Sequence, residues 1–476
     1  MAERDEPQSA SSAPARMYDA ARDLLGFDAG EQVALIGHML RWVLLGSLVG
    51  VLGGVSSAVF LTALKWATES FDEHAWLLYL LPIGGLAIGL AYHYGGGRSV
   101  EGNNLIIDEI HEPKAWVPRR MAPMVLVGTV VTHLFGGSAG REGTAIQMSG
   151  SLTDAASRVL RLDAYDRRIM LITAIAGGFG AVFGVPLAGA VFALEVQSVG
   201  RVQYEALVPC LAASVVGDLV VAGLGVHHTV TPDLGHVGLS GGLLLKVMVA
   251  GLAFGLASVV FSELTHGIKR AFARWVRWAP GRPFIGGFLV IGLTLAVGDR
   301  LYNGLSLGLI EVSLFGGDVP TWGFALKILF TAVTLGSGFV GGEVTPLFVI
   351  GATLGATLAG VLDVPVPFLA ALGFVAVFAG AANTPLACTI MGVELFGAGA
   401  VPYFAAACVI SYVFSSHRGI YGTQRVGTPK LPRWLHHDQT LGGVAADRRR
   451  WLPERRPPAA TTPDLPHTDP TTGDMT

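Results

Sequence analysis

The sequence predicts an all-α polytopic membrane protein: an inverted-repeat bundle of tilted and broken transmembrane helices. Three observations carry the prediction. Hydrophobic residues make up 51% of the chain and charged residues 14%, against roughly 25% charged in an ordinary soluble domain. Uncharged apolar stretches of helix length recur from Trp42 to His417. The two halves of the chain also match one another in register, with the most polar match inside the most apolar surroundings.

Taken in order, Met1 to Arg16 is polar, sets acids beside bases and has no apolar run, so it reads as a cytoplasmic leader and not a signal peptide. Residues 17–41 are expected to form an amphipathic helix ending at Arg41, which closes a first unit of 1–41. Apolar stretches follow at Trp42–Leu64, Ala75–Gly97, Met121–Phe135, Met170–Leu194, Val247–Ser262, Pro283–Gly298, Ile328–Gly342, Val344–Leu362, Val364–Val393 and Leu395–His417. About 20 residues span a hydrocarbon core of ~30 Å as a helix. Some stretches are shorter than that, and others are too long and glycine-broken to be one straight span. Interrupted helices expose backbone N–H groups inside the bilayer, as a transporter with mid-membrane ion sites requires. The membrane unit is placed at 42–422, with halves of about 42–226 and 240–422.

After Gly422 the composition flips. Residues 423–476 hold 14 charged side chains and eight prolines, including the run Arg448, Arg449, Arg450, and are expected to be a disordered cytoplasmic tail. Basic residues at both ends place both termini in the cytoplasm of a multi-pass protein of the cell inner or plasma membrane. The net charge of −3 says nothing about partners, and no feature of the sequence suggests nucleic-acid binding. Cys210, Cys388 and Cys408 lie in apolar sequence and read as small buried hydrophobes; no metal or cofactor pattern accompanies them.

At an offset of 201 residues, Gly137, Gly140, Glu142, Thr144 and Gly150 fall on Gly338, Gly341, Glu343, Thr345 and Gly351. At nearly the same offset, Pro186 and Glu195 in GVPLAGAVFALEV match Pro385 and Glu394 in NTPLACTIMGVEL. Five identities in register and four more in order indicate a diverged internal duplication, whose pseudo-two-fold axis would bring two glycine-flanked helix starts together. Such starts hold an anion without a fixed positive charge, because glycine lets the backbone N–H groups close around it. They hold a carboxylate equally well. Glu142 is therefore suited to compete with a transported anion, filling its place when ionised and leaving it when protonated. Bonding to a neighbouring helix is the plainer role for a membrane glutamate, but the glycine setting and the repeat favour the gating role.

At these residues the chain resembles a known family. GREGT at 140–144, GNN at 102–104, GGEVTP at 341–346 and Tyr421 in RGIYGTQR are similar, in order and spacing, to the four ion-pathway segments of the CLC chloride channels and anion/proton antiporters. The resemblance runs from about Val43 to Tyr421. It implies a homodimer with one pore per subunit, a gating and proton-carrying role for Glu142, and an anion path through Asn103, Gly140, Arg141, Gly143, Glu343, Val344, Thr345 and Tyr421. The departures from chloride members are informative. Asn103 stands where GSGIP has its serine, Thr144 replaces the proline of GREGP, and Glu343-Val344-Thr345 replaces the phenylalanine-bearing GxFxP. Each change resembles the fluoride-exporting branch, as does Val196, which stands where chloride antiporters keep an internal proton-transfer glutamate. Glu195, one residue earlier, is either a replacement or a structural group.

Asn103 offers an amide N–H, though its carbonyl can also turn inward. Thr345 either caps its own helix or receives Glu142 or fluoride. Glu343 either relays a proton or bonds its own loop. GSGFVG at 336–341 matches a dinucleotide fingerprint but lies in an apolar run without the strand–helix–strand unit that gives the motif meaning. His133 near Ser138 raises an intramembrane hydrolase, with no accompanying GxSxG or HExxH. The reading is fluoride export coupled to inward proton movement in a non-enzyme whose partners are fluoride, protons, the lipid bilayer and a second copy of itself. Chloride/proton antiport and a passive chloride channel are the alternatives.

Overall fold

The computed structural model describes residues 29–430 and 438–451. The expected leader Met1–Arg16, residues 17–28 of the expected amphipathic helix, and residues 431–437 and 452–476 of the expected tail lie outside the described residues. The first half of the bundle contains α1 (Ala29–Glu73), α2 (Leu81–Ala91), α3 (Asn103–His111), α4 (Met121–Leu134), α5 (Glu142–Val159), α6 (Ala164–Phe183), α7 (Pro186–Glu195) and α8 (Leu207–Gly223). The second contains α9 (Gly241–Trp275), α10 (Gly281–Val297), α11 (Leu307–Leu314), α12 (Gly323–Ser337), α13 (Val344–Leu362), α14 (Val366–Ala382), α15 (Pro385–Phe396) and α16 (Val401–Phe414). A final helix, α17 (Leu441–Trp451), follows, and β1 (Ser198–Val199) pairs in parallel with β2 (Arg425–Val426). Among the described residues, five helical stretches are long and apolar enough to cross a membrane, α1, α9 and α13 among them, while seven others are apolar but run only 10–17 residues.

Two breaks show how sequence produces the interrupted helices. α6 ends at Gly184 with φ +71 and Pro186 starts α7; α14 ends at Asn383 with φ +61 and Pro385 starts α15. A left-handed residue stops a helix, and a proline, whose missing N–H costs nothing in the first turn, starts the next. The predicted stretches Met170–Leu194 and Val364–Val393 are therefore each two helices, broken at repeat-related positions. Close packing follows from glycine: a Cβ added at Gly351 on α13 would sit 2.0 Å from the Gly373 carbonyl oxygen on α14.

Two expectations are corrected. No helix ends at Arg41: α1 passes through it and runs on for 45 residues in all, or about 68 Å at 1.5 Å per residue, because nothing near Arg41 breaks a helix. Nor is the start of the tail disordered. Residues 425–430 and 438–448 pack on the bundle, with Val426, Leu441 and Val444 buried against Val199. Lys430 Nζ donates to the Asn383 Oδ1 at 2.6 Å, the Tyr412 carbonyl at 2.5 Å and Ser415 Oγ at 3.0 Å. A lysine among carbonyls at a helix C-terminus is favourably placed, and composition alone does not show that it has such a destination.

Candidate functional site

The site forms where the two halves meet backbone to backbone. Gly140 N–H donates to the Gly342 carbonyl at 2.6 Å and Gly342 N–H returns the bond to Gly140 at 2.8 Å. This two-glycine bridge brings the starts of α5 and α13 together. Side chains are excluded there: a Cβ on Gly342 would lie 3.0 Å from the Gly143 nitrogen, and one on Gly143 would lie 2.7 Å from Asn103 Nδ2.

Glu142 opens α5 and is fully buried. Its carboxylate is directed across the bridge into the other half. Oε1 accepts from Thr345 Oγ1 at 2.5 Å, and Oε2 accepts from Thr345 N–H at 3.0 Å and from Arg141 N–H at 3.2 Å. Arg141 Nε lies 3.4 Å from Oε1. The carboxylate thus occupies the N-terminus of α13, where backbone donors and the helix dipole favour negative charge. Thr345 serves Glu142 and not its own helix, since the cap position is Glu343 and no side chain caps that end. Val344, the first residue of α13, is fully buried.

Toward one end of the bundle the remaining predicted residues line a vestibule of about 450 Å³, with Asn103, Glu343 and Tyr421 at its inner end and Lys269 and Arg282 on its walls. Tyr421 Oη and Asn103 Oδ1 are buried without a hydrogen-bond partner among the described residues. The phenol is a donor, so it suits an anion arriving beside it; the amide carbonyl is an acceptor and does not. Glu343 stands at the N-cap position of α13 and its side chain makes no cap bond there. Asn104, the second asparagine of GNN, ties the two sides of this mouth: its Oδ1 accepts from Thr423 N–H at 3.2 Å and Thr423 Oγ1 at 3.1 Å, two residues beyond Tyr421. The doubled asparagine of GNN was the available signal. A second missed feature anchors α3: Arg167 reaches Asp154 at 2.6 Å and Glu109 at 3.3 Å, and Arg98 reaches Glu109 at 2.6 Å.

The vestibule at the other end, about 880 Å³, includes Asp72, His133, Arg300, Asn303 and Ser306 in its lining. The two lie at opposite ends of α10, whose Pro283 lines the first and Thr294 the second. Glu142 lies between them with the glycine bridge. His133 and Ser138 do not form a nucleophile–base pair: the histidine nitrogens face the Thr129 and Ala139 carbonyls, and Ser138 Oγ meets Thr331 Oγ1 at 2.9 Å.

Val196 is 2% exposed and lines a narrow apolar cleft with Ile107, Phe192 and Tyr421. Glu195 is a structural group: its oxygens accept the N–H groups of Leu386 and Ala387 at 3.1 and 2.9 Å, at the start of α15. Glu394 does the same for Leu187 and Ala188 at the start of α7, at 2.8 and 2.7 Å.

The sequence model of the family described as voltage gated chloride channel matches residues 84–416. A protein of Pseudomonas syringae pv. tomato called "Chloride/fluoride channel protein" is 48% identical over 88% of this chain and 94% of its own length. The "H(+)/Cl(-) exchange transporter ClcA" of Cronobacter sakazakii is 26% identical over 66% of this chain and 72% of its own. Among solved structures, one described as a CLC-type fluoride/proton antiporter superposes with a TM-score of 0.78 at 33% identity, covering 81% of this chain and 98% of its own. A slow cyanobacterial Cl−/H+ antiporter shares the fold at a TM-score of 0.67 and 19% identity, over 88% of this chain and 99% of its own.

Proposed function

The chain belongs to the voltage gated chloride channel, or CLC, family, and from that premise we propose that it exports cytoplasmic fluoride in exchange for protons. One observation carries the coupling: the Glu142 carboxylate sits on Thr345, the seat that an anion at the start of α13 would take. Ionised, Glu142 fills the seat and closes the path. Protonated, it loses its attraction for the N–H groups and the helix dipole, leaves, and carries its proton with it, so anion and proton alternate at one position. Fluoride is close in size to a carboxylate oxygen, whereas chloride needs longer contacts than the 2.5 and 3.0 Å seen here. The seat's donors, an amide N–H and a hydroxyl, suit the more strongly hydrated ion. The names of the 48% identical relative and the 33% identical structure support the same substrate.

In this scheme fluoride enters from the cytoplasm past Lys269 and Arg282, meets Tyr421 and Asn103, and passes to the Glu142 seat. Both termini are cytoplasmic and the functional unit is a homodimer in the inner membrane, each subunit with its own path. The test is efflux from liposomes containing the purified protein, comparing fluoride with chloride while recording external pH. Fluoride-selective efflux with uphill proton uptake is the expected result. Chloride efflux at a comparable rate would return the protein to ordinary chloride exchange. Glu142→Gln cannot exchange a proton, so its fluoride flux is expected to lose proton uptake and its dependence on pH; continued proton pumping in this variant would end the proposed mechanism.

A further inference from the structure

The C-terminal segment reaches the anion path through one buried amide. Lys430 donates to Asn383 Oδ1, the Tyr412 carbonyl and Ser415 Oγ, and its Nζ lies 3.8 Å from the centroid of the Tyr412 ring. Asn383, 1% exposed, stands at the break between α14 and α15. An ammonium has donors and no acceptor, so it fixes which way this amide faces: oxygen toward Lys430, nitrogen toward the loop that carries Tyr421. There Nδ2 donates to the Arg418 carbonyl at 3.1 Å and to Gln424 Oε1 at 3.0 Å. Arg418 and Gln424 are each three residues from Tyr421. A single amide therefore pins both feet of an arch, with the tyrosine midway along it.

The arch hangs from the same helix break. Ile420 N–H donates to the Ala381 carbonyl at 2.9 Å, and the fully buried Gln424 donates from Nε2 to the carbonyls of Val196 at 2.7 Å and Ala382 at 3.0 Å. Without the ammonium, the Asn383 oxygen loses a charge-assisted donor in a buried place, and the amide is free to turn. A turned amide sets its oxygen against the Arg418 carbonyl and Gln424 Oε1. Gln424 cannot turn with it, since its own nitrogen is bound to two carbonyls. Acceptor then meets acceptor at both feet, so the arch shifts and the Tyr421 hydroxyl shifts with it. We propose that Lys430 is a positioning residue for the cytoplasmic anion site. Acting through Asn383, it sets the direction of Tyr421 Oη and with it the affinity for the entering anion. The proposal rests on the transport reading above in taking Tyr421 as part of the anion's path.

The test measures the anion KM of the full chain in liposomes with the cytoplasmic face outward, using whichever of fluoride and chloride the wild type carries. A failure of the fluoride reading thus leaves the test intact. K430M is expected to raise KM by about three- to tenfold, the partly transmitted effect of one charge-assisted hydrogen bond, with little change in kcat. In a Y421F background the same substitution should hardly move KM, because the hydroxyl that it misplaces is gone. Loosened docking alone is reported by V444A, which thins the apolar cluster with Val199, Val426 and Leu441 and leaves Asn383 untouched. Its melting temperature should fall while its KM stays at the wild-type value. Hydrogen exchange of the 418–424 backbone needs no transport at all, and should quicken in K430M and not in V444A. An unchanged KM in K430M, an equal rise in V444A, or the same fold-change with and without the Tyr421 hydroxyl would each overturn the proposal. Unchanged exchange over 418–424 in K430M would overturn the link through Asn383.

Discussion

Glu142 and Thr345 stand 203 residues apart in sequence and form one hydrogen-bonded unit. A hydrogen bond to a charged group contributes about 1.5–3 kcal/mol, so Thr345→Val should weaken the carboxylate's hold on its seat by roughly tenfold or more. The expected outcome is a gate that leaves too readily: fluoride efflux with fewer protons returned per ion, measured in the same liposome recording. Unchanged coupling would remove the hydroxyl from the mechanism and leave the amide to hold Glu142 alone. Of the predicted residues, Glu142 and Thr345 were legible because both sit in glycine-flanked, repeat-related motifs. The role of Asn104 was not: the doubled asparagine of GNN marks a polar residue, but nothing local shows that it meets Thr423, 319 residues away.

At the scale of elements, the short helix α3 is held by tertiary contacts, since nine residues form no stable helix alone. Its inner end is tied to the Tyr421 segment by Asn104 and Thr423, and its flank by Glu109, Arg98 and Arg167. A double-mutant cycle of Asn104→Ala and Thr423→Val is expected to show a coupling of about 1 kcal/mol in fluoride affinity. Strict additivity would mean that the two sides of the mouth are set independently. The helix breaks at Gly184 and Asn383 were foreshadowed by apolar stretches too long for one span, and the prolines two residues on mark where each new helix begins. The passage of α1 through Arg41 was not, since an arginine on a helix entering a membrane marks a change of surroundings, not of backbone. The docking of 425–430 and 438–448 was hidden for a similar reason: a polar, proline-rich stretch can still place one lysine and three apolar side chains well.

Across the whole molecule, the duplication fixes more than the position of the gate. Each half closes the helix start of the other, Glu195 at α15 and Glu394 at α7. Removing a helix cap costs about 1 kcal/mol, and removing a buried carboxylate that satisfies two N–H groups costs more. Glu195→Ala and Glu394→Ala should therefore each lower the detergent melting temperature. Both variants should still couple fluoride to protons if they fold, because neither side chain lies in the path. Loss of coupling in Glu195→Ala alone would instead mark that residue as part of the proton's inner route.

The exchanged caps also bear on how the chain is made. While the ribosome has released only the first half, α7 begins with bare N–H groups and Glu195 has nothing to close, so that half waits inserted but unfinished until α15 arrives. The same dependence makes a severed gene workable. Two polypeptides cut between α8 and α9 and synthesised together each carry the missing piece of the other, and should assemble into a working transporter that neither forms alone.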